Sequence, residues 1–175
     1  IEDFVNTNEF VGFYLASDNK HLLQSVERPE GYGVKDLYVS FLKEDNTWTK
    51  AKNLGNVINT FDEEANPFLA ADGKTLYFAS RGHNGYGGFD LFVSKRLDDT
   101  WTNWTTPQNL GKVINTPGTE LSIFLAAKGD KAFISRDKDI WEIANTVKQD
   151  PVVLVKGKIY DAKTKTTLSA PVIYN

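Results

Sequence analysis

Asn53-Leu-Gly-Asn-Val-Ile-Asn-Thr60 returns 56 residues later as Asn109-Leu-Gly-Lys-Val-Ile-Asn-Thr116, with one substitution in eight positions. A match of that length and fidelity is an internal repeat, and its period is the first clue to the fold. Working outward, Asp36-Leu-Tyr-Val-Ser40 stands before the first copy as Asp90-Leu-Phe-Val-Ser94 stands before the second. Thr47-Trp48-Thr49 then aligns with Thr100-Trp101-Thr102, and Leu15-Ala-Ser-Asp-Asn-Lys20 with Leu69-Ala-Ala-Asp-Gly-Lys74 and, more loosely, with Leu125-Ala-Ala-Lys-Gly-Asp130. The unit is therefore 54 to 56 residues long, and a third copy of its aromatic segment appears as Asp139-Ile-Trp-Glu-Ile143.

Within one unit the residues spell strands. Thr75-Leu-Tyr-Phe-Ala-Ser80 and Asp90-Leu-Phe-Val-Ser94 are short, aromatic and β-branched, and bounded by Gly, Asn and Asp, with no 3.6-residue periodicity; nearly continuous apolarity of this kind fits strands buried on both faces. Asp72-Gly73 is expected to turn one strand into the next, with Gly73 at positive φ, where a Cβ would clash. Asn19 and Gly129 hold the equivalent places. Four short strands per unit, repeated, predict an all-β chain of β-propeller blades, because sandwiches do not repeat in sequence at this period. Three blades do not close a ring of the usual four to eight, so the expectation is a partial ring of about three four-stranded blades. Val5-Asn6-Thr7 precedes the first unit as Ile58-Asn59-Thr60 precedes the second, which reads as the tail of an earlier blade.

After Ala144 the texture changes. The expected organisation is propeller repeats over 1–144, a polar linker over 145–151 ending at Pro151, and the first strands of a β-sandwich over 152–175. Two strands alone bury no core, so that second module is read as continuing beyond Asn175. The chain opens at Ile1 and contains no methionine, which reads as a piece of a longer precursor.

Composition narrows the function. The 175 residues are 25% charged and 41% hydrophobic with a net charge of −3, the balance of an ordinary folded domain. The longest clean apolar run, Val152 to Val155, is far shorter than the roughly 20 residues of a spanning helix. Absence of cysteine removes disulfides, thiolate zinc sites and thiol nucleophiles. No basic stripe is present to displace phosphate counterions, so nucleic acid is not an expected partner.

Candidate chemistry is sparse. His21 and His83 lie in no metal-ligand spacing; His83 has Asp90 and serines nearby, the ingredients of a triad, but reads as a polar residue of a solvated loop. Asp62, Glu63 and Glu64 form a tight acidic cluster without the Asp-x-Asp-x-Asp-Gly pattern of a calcium loop, and read as a solvated turn. Gly85-Tyr-Gly-Gly88 lacks the Lys-Ser/Thr of a phosphate loop. Trp48 and Trp101, at matched positions, are expected to pack between blades, whereas Trp104, without a counterpart, is the candidate for an exposed contact. In a four-stranded blade the loop between the second and third strands emerges on the same end as the loop entering the next blade. That places Arg28, Tyr32, Arg81, His83, Asn84 and Tyr86 near Asn59, Asn115 and Thr116, a face rich in the Tyr and Arg of binding hot spots. The alternative reading has the Gly-Tyr-Gly tyrosine packing on a neighbouring blade.

Pro67-Phe-Leu-Ala-Ala-Asp-Gly-Lys-Thr-Leu-Tyr-Phe-Ala-Ser80, Gly85-Tyr-Gly-Gly88, Asp90-Leu-Phe-Val-Ser94, Trp101 and Asn109-Leu-Gly111 together resemble the WD-like, TolB-type propeller repeats of OmpA-family cell-envelope proteins. Val155-Lys-Gly-Lys-Ile-Tyr-Asp-Ala-Lys-Thr164, with Leu168 and Ala170, is similar to the opening of a carboxypeptidase-regulatory-like β-sandwich, which follows the propeller in that family. The third unit departs from the pattern, with Lys128-Gly129-Asp130 in place of Asp-Gly-Lys and no Gly-Tyr-Gly, and Lys165 stands where a turn glycine is usual. The resemblance implies a place on the periplasmic face of the outer membrane, envelope or outer-membrane proteins as partners, and peptidoglycan bound by a domain outside this chain. It implies no cofactor. The expected function is a non-catalytic interaction scaffold. The alternatives are a component of an outer-membrane secretion or barrel-assembly machine, a propeller hydrolase or lyase acting on glycan or peptide, and a glycan-binding module.

Overall fold

The computed structural model describes residues 1–126, 130–144, 159–160, 163–164 and 166–168. Among these the chain is all-β, built from antiparallel sheets. The first sheet joins β1 (Gly12–Leu15), β2 (His21–Val26), β3 (Asp36–Phe41) and β4 (Lys52–Asn53) in sequence order. The second repeats it with β5 (Glu64–Leu69), β6 (Thr75–Ser80), β7 (Asp90–Lys95) and β8 (Gln108–Asn109). The third has three strands among the described residues, β9 (Glu120–Leu125), β10 (Lys131–Arg136) and β11 (Asp139–Ala144), ordered β11-β10-β9. The expected fourth strand of that unit is not among them. Gly129, the linker over 145–151 and most of the second module lie outside the described residues; within the latter, β12 (Ile159–Tyr160) pairs antiparallel with β13 (Thr167–Leu168).

The turns form as the residues dictate. Gly73 sits at φ +67° and Asn19 at φ +57°. In each, the preceding aspartate accepts a backbone hydrogen bond just beyond the turn: Asp72 from Lys74 at 2.8 Å, Asp18 from Lys20 at 2.8 Å. Aspartate suits this place because its short carboxylate reaches the amide two residues on.

Successive side chains of a strand point to opposite faces, and β6 shows what that achieves. All six of its residues are buried. Leu76 and Phe78 join Leu23, Leu37 and Val39 in one apolar cluster, while Tyr77 and Ala79 join Ile123, Ala132 and Ile134 in another. The second sheet is thus enclosed between the first and third, each buried Leu- or Phe-sized side chain contributing about 1.5–3 kcal/mol. Among the described residues no sheet covers the far side of the third; there β10 alternates exposed and buried over its first four residues and β11 is largely exposed.

The first strands lie side by side, with β1 against β5 and β5 against β9. One aromatic from each makes a continuous row: Tyr14 to Phe68 with ring centres 5.2 Å apart, and Phe68 to Phe124 at 5.6 Å. Edge carbonyls are satisfied across the gaps, Leu69 by the Tyr14 hydroxyl at 3.1 Å and Leu121 by the Asn66 amide at 2.8 Å.

The tryptophan alignment needs correcting. Leu42 bridges Trp48, and Arg96 bridges Trp104. Thr49 and Thr105, one residue on, donate their amides to Phe41 and Lys95 at 2.9 Å each. Trp48 therefore corresponds to Trp104, and Trp101 lies within the longer turn of the second unit. Trp104 is buried and donates its indole N–H to the Trp101 carbonyl at 3.0 Å, so it is a packing residue and not an exposed contact. Trp101 does pack between sheets, its ring 4.8 Å from that of His21 and 5.9 Å from that of Phe41.

Candidate functional site: the loop rim and the joints beneath it

Each sheet is fastened to the next by the same assembly, built on residues the repeat carries twice. Asn59 accepts the Leu37 amide at 2.8 Å, donates to the Leu37 carbonyl at 3.0 Å and reaches Asn53 at 2.8 Å. Asn115 treats Leu91 and Asn109 in the same way, at 2.8, 2.9 and 2.8 Å. A primary amide can donate and accept at once, which lets one side chain satisfy the amide of a strand residue and add a second bond to its carbonyl, which also accepts the Leu54 amide at Leu37 and the Leu110 amide at Leu91.

The following threonine meets a buried glutamate. Thr60 donates its amide and hydroxyl to Glu64, both at 2.8 Å, and Ser80 adds a third bond at 2.7 Å. Thr116 donates amide and hydroxyl to Glu120 at 3.0 and 2.7 Å. Both glutamates are fully buried. Burial pushes the Glu64 carboxyl above its ordinary range, against the pull of the Ser80 and Thr60 hydrogen bonds. The acidic cluster is therefore not a solvated turn throughout: Asp62 and Glu63 are half-buried and Glu64 is wholly enclosed.

The Gly-Tyr-Gly loops dock on these joints through their glycines. A Cβ on Gly33 would stand 2.4 Å from the Thr60 carbonyl oxygen and 2.5 Å from that of Asp62. On Gly87 it would stand 2.5 Å from the oxygen of Thr116. Each loop is braced from within by the aspartate that opens the next strand. Asp36 accepts the Tyr32 and Gly33 amides at 2.6 and 3.1 Å, and Asp90 accepts those of Tyr86 and Gly87 at 2.9 and 3.1 Å. The tyrosines are left outside, 55% exposed at Tyr32 and 52% at Tyr86. The glycine, not the tyrosine, packs on the neighbouring sheet.

The remaining rim residues divide. Arg81 is half-exposed, its guanidinium 4.6 Å from the Phe89 ring centre and 3.8 Å from Glu63. Asn84 is exposed. Arg28 is buried, donating to Glu30 at 2.8 Å and to the Asp3 carbonyl at 3.3 Å, so it braces the fold instead of facing outward. His83 is not in a solvated loop: it is half-buried against Phe78 and Phe92, with Nε2 2.9 Å from the Ile58 carbonyl oxygen. The carbonyl can only accept, so Nε2 carries the proton, and burial holds the ring below its ordinary pKa and neutral. The triad ingredients are not brought together, since His83 binds Ile58, the Ser80 hydroxyl binds Glu64 and Asp90 binds the loop amides. Among the described residues no group of three or more His, Asp or Glu could hold a metal ion.

A separate cleft of about 370 Å³ opens beside the first strands, lined by Phe13, Asn66, Leu121, Phe124 and Ser135. No protein-family model, curated protein or solved structure matches the chain.

Sequence reasoning missed Glu64 and Glu120 as the centres of the joints. The signal was present: Thr-x-x-x-Glu occurs at Thr60–Glu64 and again at Thr116–Glu120, directly after each long repeat.

Proposed function

We propose that the three sheets are consecutive blades of a β-propeller and that this section of ring is a non-catalytic interaction scaffold. The support for the ring is the joint itself. The same Asn, Thr, Glu and Gly contacts carry the first sheet onto the second and the second onto the third, and one operation repeated about an axis builds a propeller. The aromatic row through Tyr14, Phe68 and Phe124 supports a curve with the first strands on its inner side.

The observation that carries the interaction reading is the pair Tyr32 and Tyr86. Two tyrosines at equivalent positions stay half-exposed on loops whose backbones are pinned by buried aspartates. Large side chains held out on a rigid frame lose little entropy when a partner covers them. The repeat's resemblance to OmpA-family envelope proteins supports a partner among envelope or outer-membrane proteins, with the cell wall held by another domain. The test is affinity capture from solubilised membranes with the full chain and with Tyr32→Ala/Tyr86→Ala. The expected result is loss of the co-purifying partner with the melting temperature within about 2 °C of the parent, as for surface substitutions. Recovery of the same partners in the same amounts would discard the rim as the interaction face.

A further inference from the structure

In three places a glycine follows a residue with a carboxyl or carboxamide side chain: Glu30-Gly31, Asp72-Gly73 and Asn84-Gly85. The structure treats them differently. The Gly31 amide donates to the Arg28 carbonyl at 2.9 Å, and the Gly73 amide to the Ala70 carbonyl at 3.0 Å. Asp72 is held as well, accepting the Lys74 and Thr75 amides at 2.8 Å each and the Thr75 hydroxyl at 2.6 Å. At Asn84-Gly85 neither group is engaged. Among the described residues the Gly85 N–H meets no acceptor, the Asn84 side chain makes no hydrogen bond, and both residues are exposed. Glycine at 85 is demanded by the fold, because a Cβ there would stand 2.0 Å from Asp90 Oδ2. The site therefore sets a backbone N–H that no side chain shields beside a carboxamide that is free to turn toward it.

We propose that Asn84 is a self-modification site of the folded chain, converting to aspartate and isoaspartate with water as the only co-reactant. The Gly85 nitrogen gives up its proton to solvent and attacks the Asn84 side-chain carbonyl carbon. A C–N bond forms, the bond to the side-chain nitrogen breaks, and ammonia leaves with a proton, closing a five-membered imide. Water then opens the ring. Cleavage at the side-chain carbonyl leaves aspartate; cleavage at the main-chain carbonyl leaves isoaspartate, with the backbone rerouted through one extra carbon. No oxidation or reduction occurs, and the product carries a carboxylate that is ionised at neutral pH. Glu30, at the matching place in the first loop, has a side chain one carbon too long for that ring. The consequence falls on Tyr86, whose amide and that of Gly87 are pinned to Asp90 at 2.9 and 3.1 Å. An extra backbone carbon two residues before Tyr86 shifts those amides off the carboxylate. The reaction needs no partner, so it stands apart from the interaction reading of the rim.

The full chain is incubated in warm, mildly alkaline buffer, folded and in urea, and followed by anion-exchange chromatography and by mass spectrometry of its peptides. The expected result is an added negative charge that maps to the peptide containing Asn84, formed in the folded chain at a rate within about tenfold of that in urea. Enzymatic methylation should detect isoaspartate in the same peptide. The Asn84→Gln chain should keep its melting temperature and show no such charge at this site. In the isoaspartate fraction, amide exchange at Tyr86 and Gly87 should quicken. A folded-state rate more than about tenfold below the rate in urea would overturn the proposal, by showing that the braced loop holds Asn84 out of reach of Gly85. Conversion of another asparagine ahead of Asn84, or the same charge shift in Asn84→Gln, would overturn it equally. Unchanged exchange at Tyr86 and Gly87 would overturn the unpinning of the loop.

Discussion

At the joint between the first and second sheets, Glu64 is met by three neutral donors from Thr60 and Ser80. At the joint between the second and third sheets, Glu120 holds the same place, but the residue paired with it is Arg136 instead of a serine, its Nε 3.4 Å from the carboxylate. Arg136 also donates to the carbonyls of Val113 and Ile114, so it ties the loop, the strand and the glutamate together. The backbone geometry of the two joints is shared, and their electrostatics are not. In one, a carboxyl is enclosed with hydroxyl and amide partners; in the other, an equally buried carboxyl has a guanidinium beside it. The scaffold demands only an acceptor at this point, and what stands opposite it is free to change.

Breaking the shared part should cost most. Gly87→Val would force side-chain carbon against the backbone of Thr116, Pro117 and Gly118, all within 2.6 Å of a Cβ. Backbone cannot swing aside as a flexible side chain does, so a loss of about 3 kcal/mol is expected, read as a lowered urea midpoint. Gly33→Val should behave alike, because its Cβ meets the same backbone atoms one unit earlier.

The difference between the joints is sharpened by neutralising each glutamate. Glu120→Gln leaves the Arg136 guanidinium, with its side chain only 15% exposed, without its counter-charge. A loss of about 3 kcal/mol is the expected ceiling, since stranded buried charges are expensive. Glu64→Gln strands no charge and keeps an oxygen for the Thr60 and Ser80 hydroxyls, but turns its NH2 toward the Thr60 N–H that Oε2 accepted, so about 1–2 kcal/mol is expected. Equal losses in urea unfolding would mean that Arg136 contributes nothing to the joint beyond what Ser80 does.

The smallest effect is the pH dependence at Glu64. Its folded-state pKa lies above the ordinary value of 4.5, chiefly through burial, so the native chain holds that proton more tightly than the unfolded chain. Stability relative to Glu64→Gln is therefore greatest below about pH 4.5 and declines as pH climbs through the raised value. Unfolding of both proteins across that window checks the sign. A difference that grows with rising pH would contradict it.

Much of the architecture was legible because it is written locally. The strand at Thr75–Ser80 and the turns at Asn19 and Gly73 depend on a few consecutive residues: alternation across a pleat, and a backbone bend that excludes a Cβ. The candidate site was legible only as a place. Aligning the loops put Tyr32 with Tyr86, and both are exposed, but nothing in composition separates Arg81, half-exposed over Phe89, from Arg28, buried beside Tyr38. The tryptophans misled for a related reason. Thr-Trp-Thr at 100–102 imitates the motif at 47–49, and only strand pairing shows that two extra residues in the turn move the true counterpart to Trp104.

The residues by themselves determined the repeat, its length, its strand character and the conformation of its tight turns, because each is set by neighbours along the chain. Tertiary structure decided which repeated residues join the sheets. Glu64 is enclosed by Thr60 and Ser80, Asn59 closes Leu37, and Gly33 lies on Thr60. Burial and hydrogen bonding between such distant positions arise only when one sheet is laid on the next, and that packing turns an acidic turn into a buried anchor.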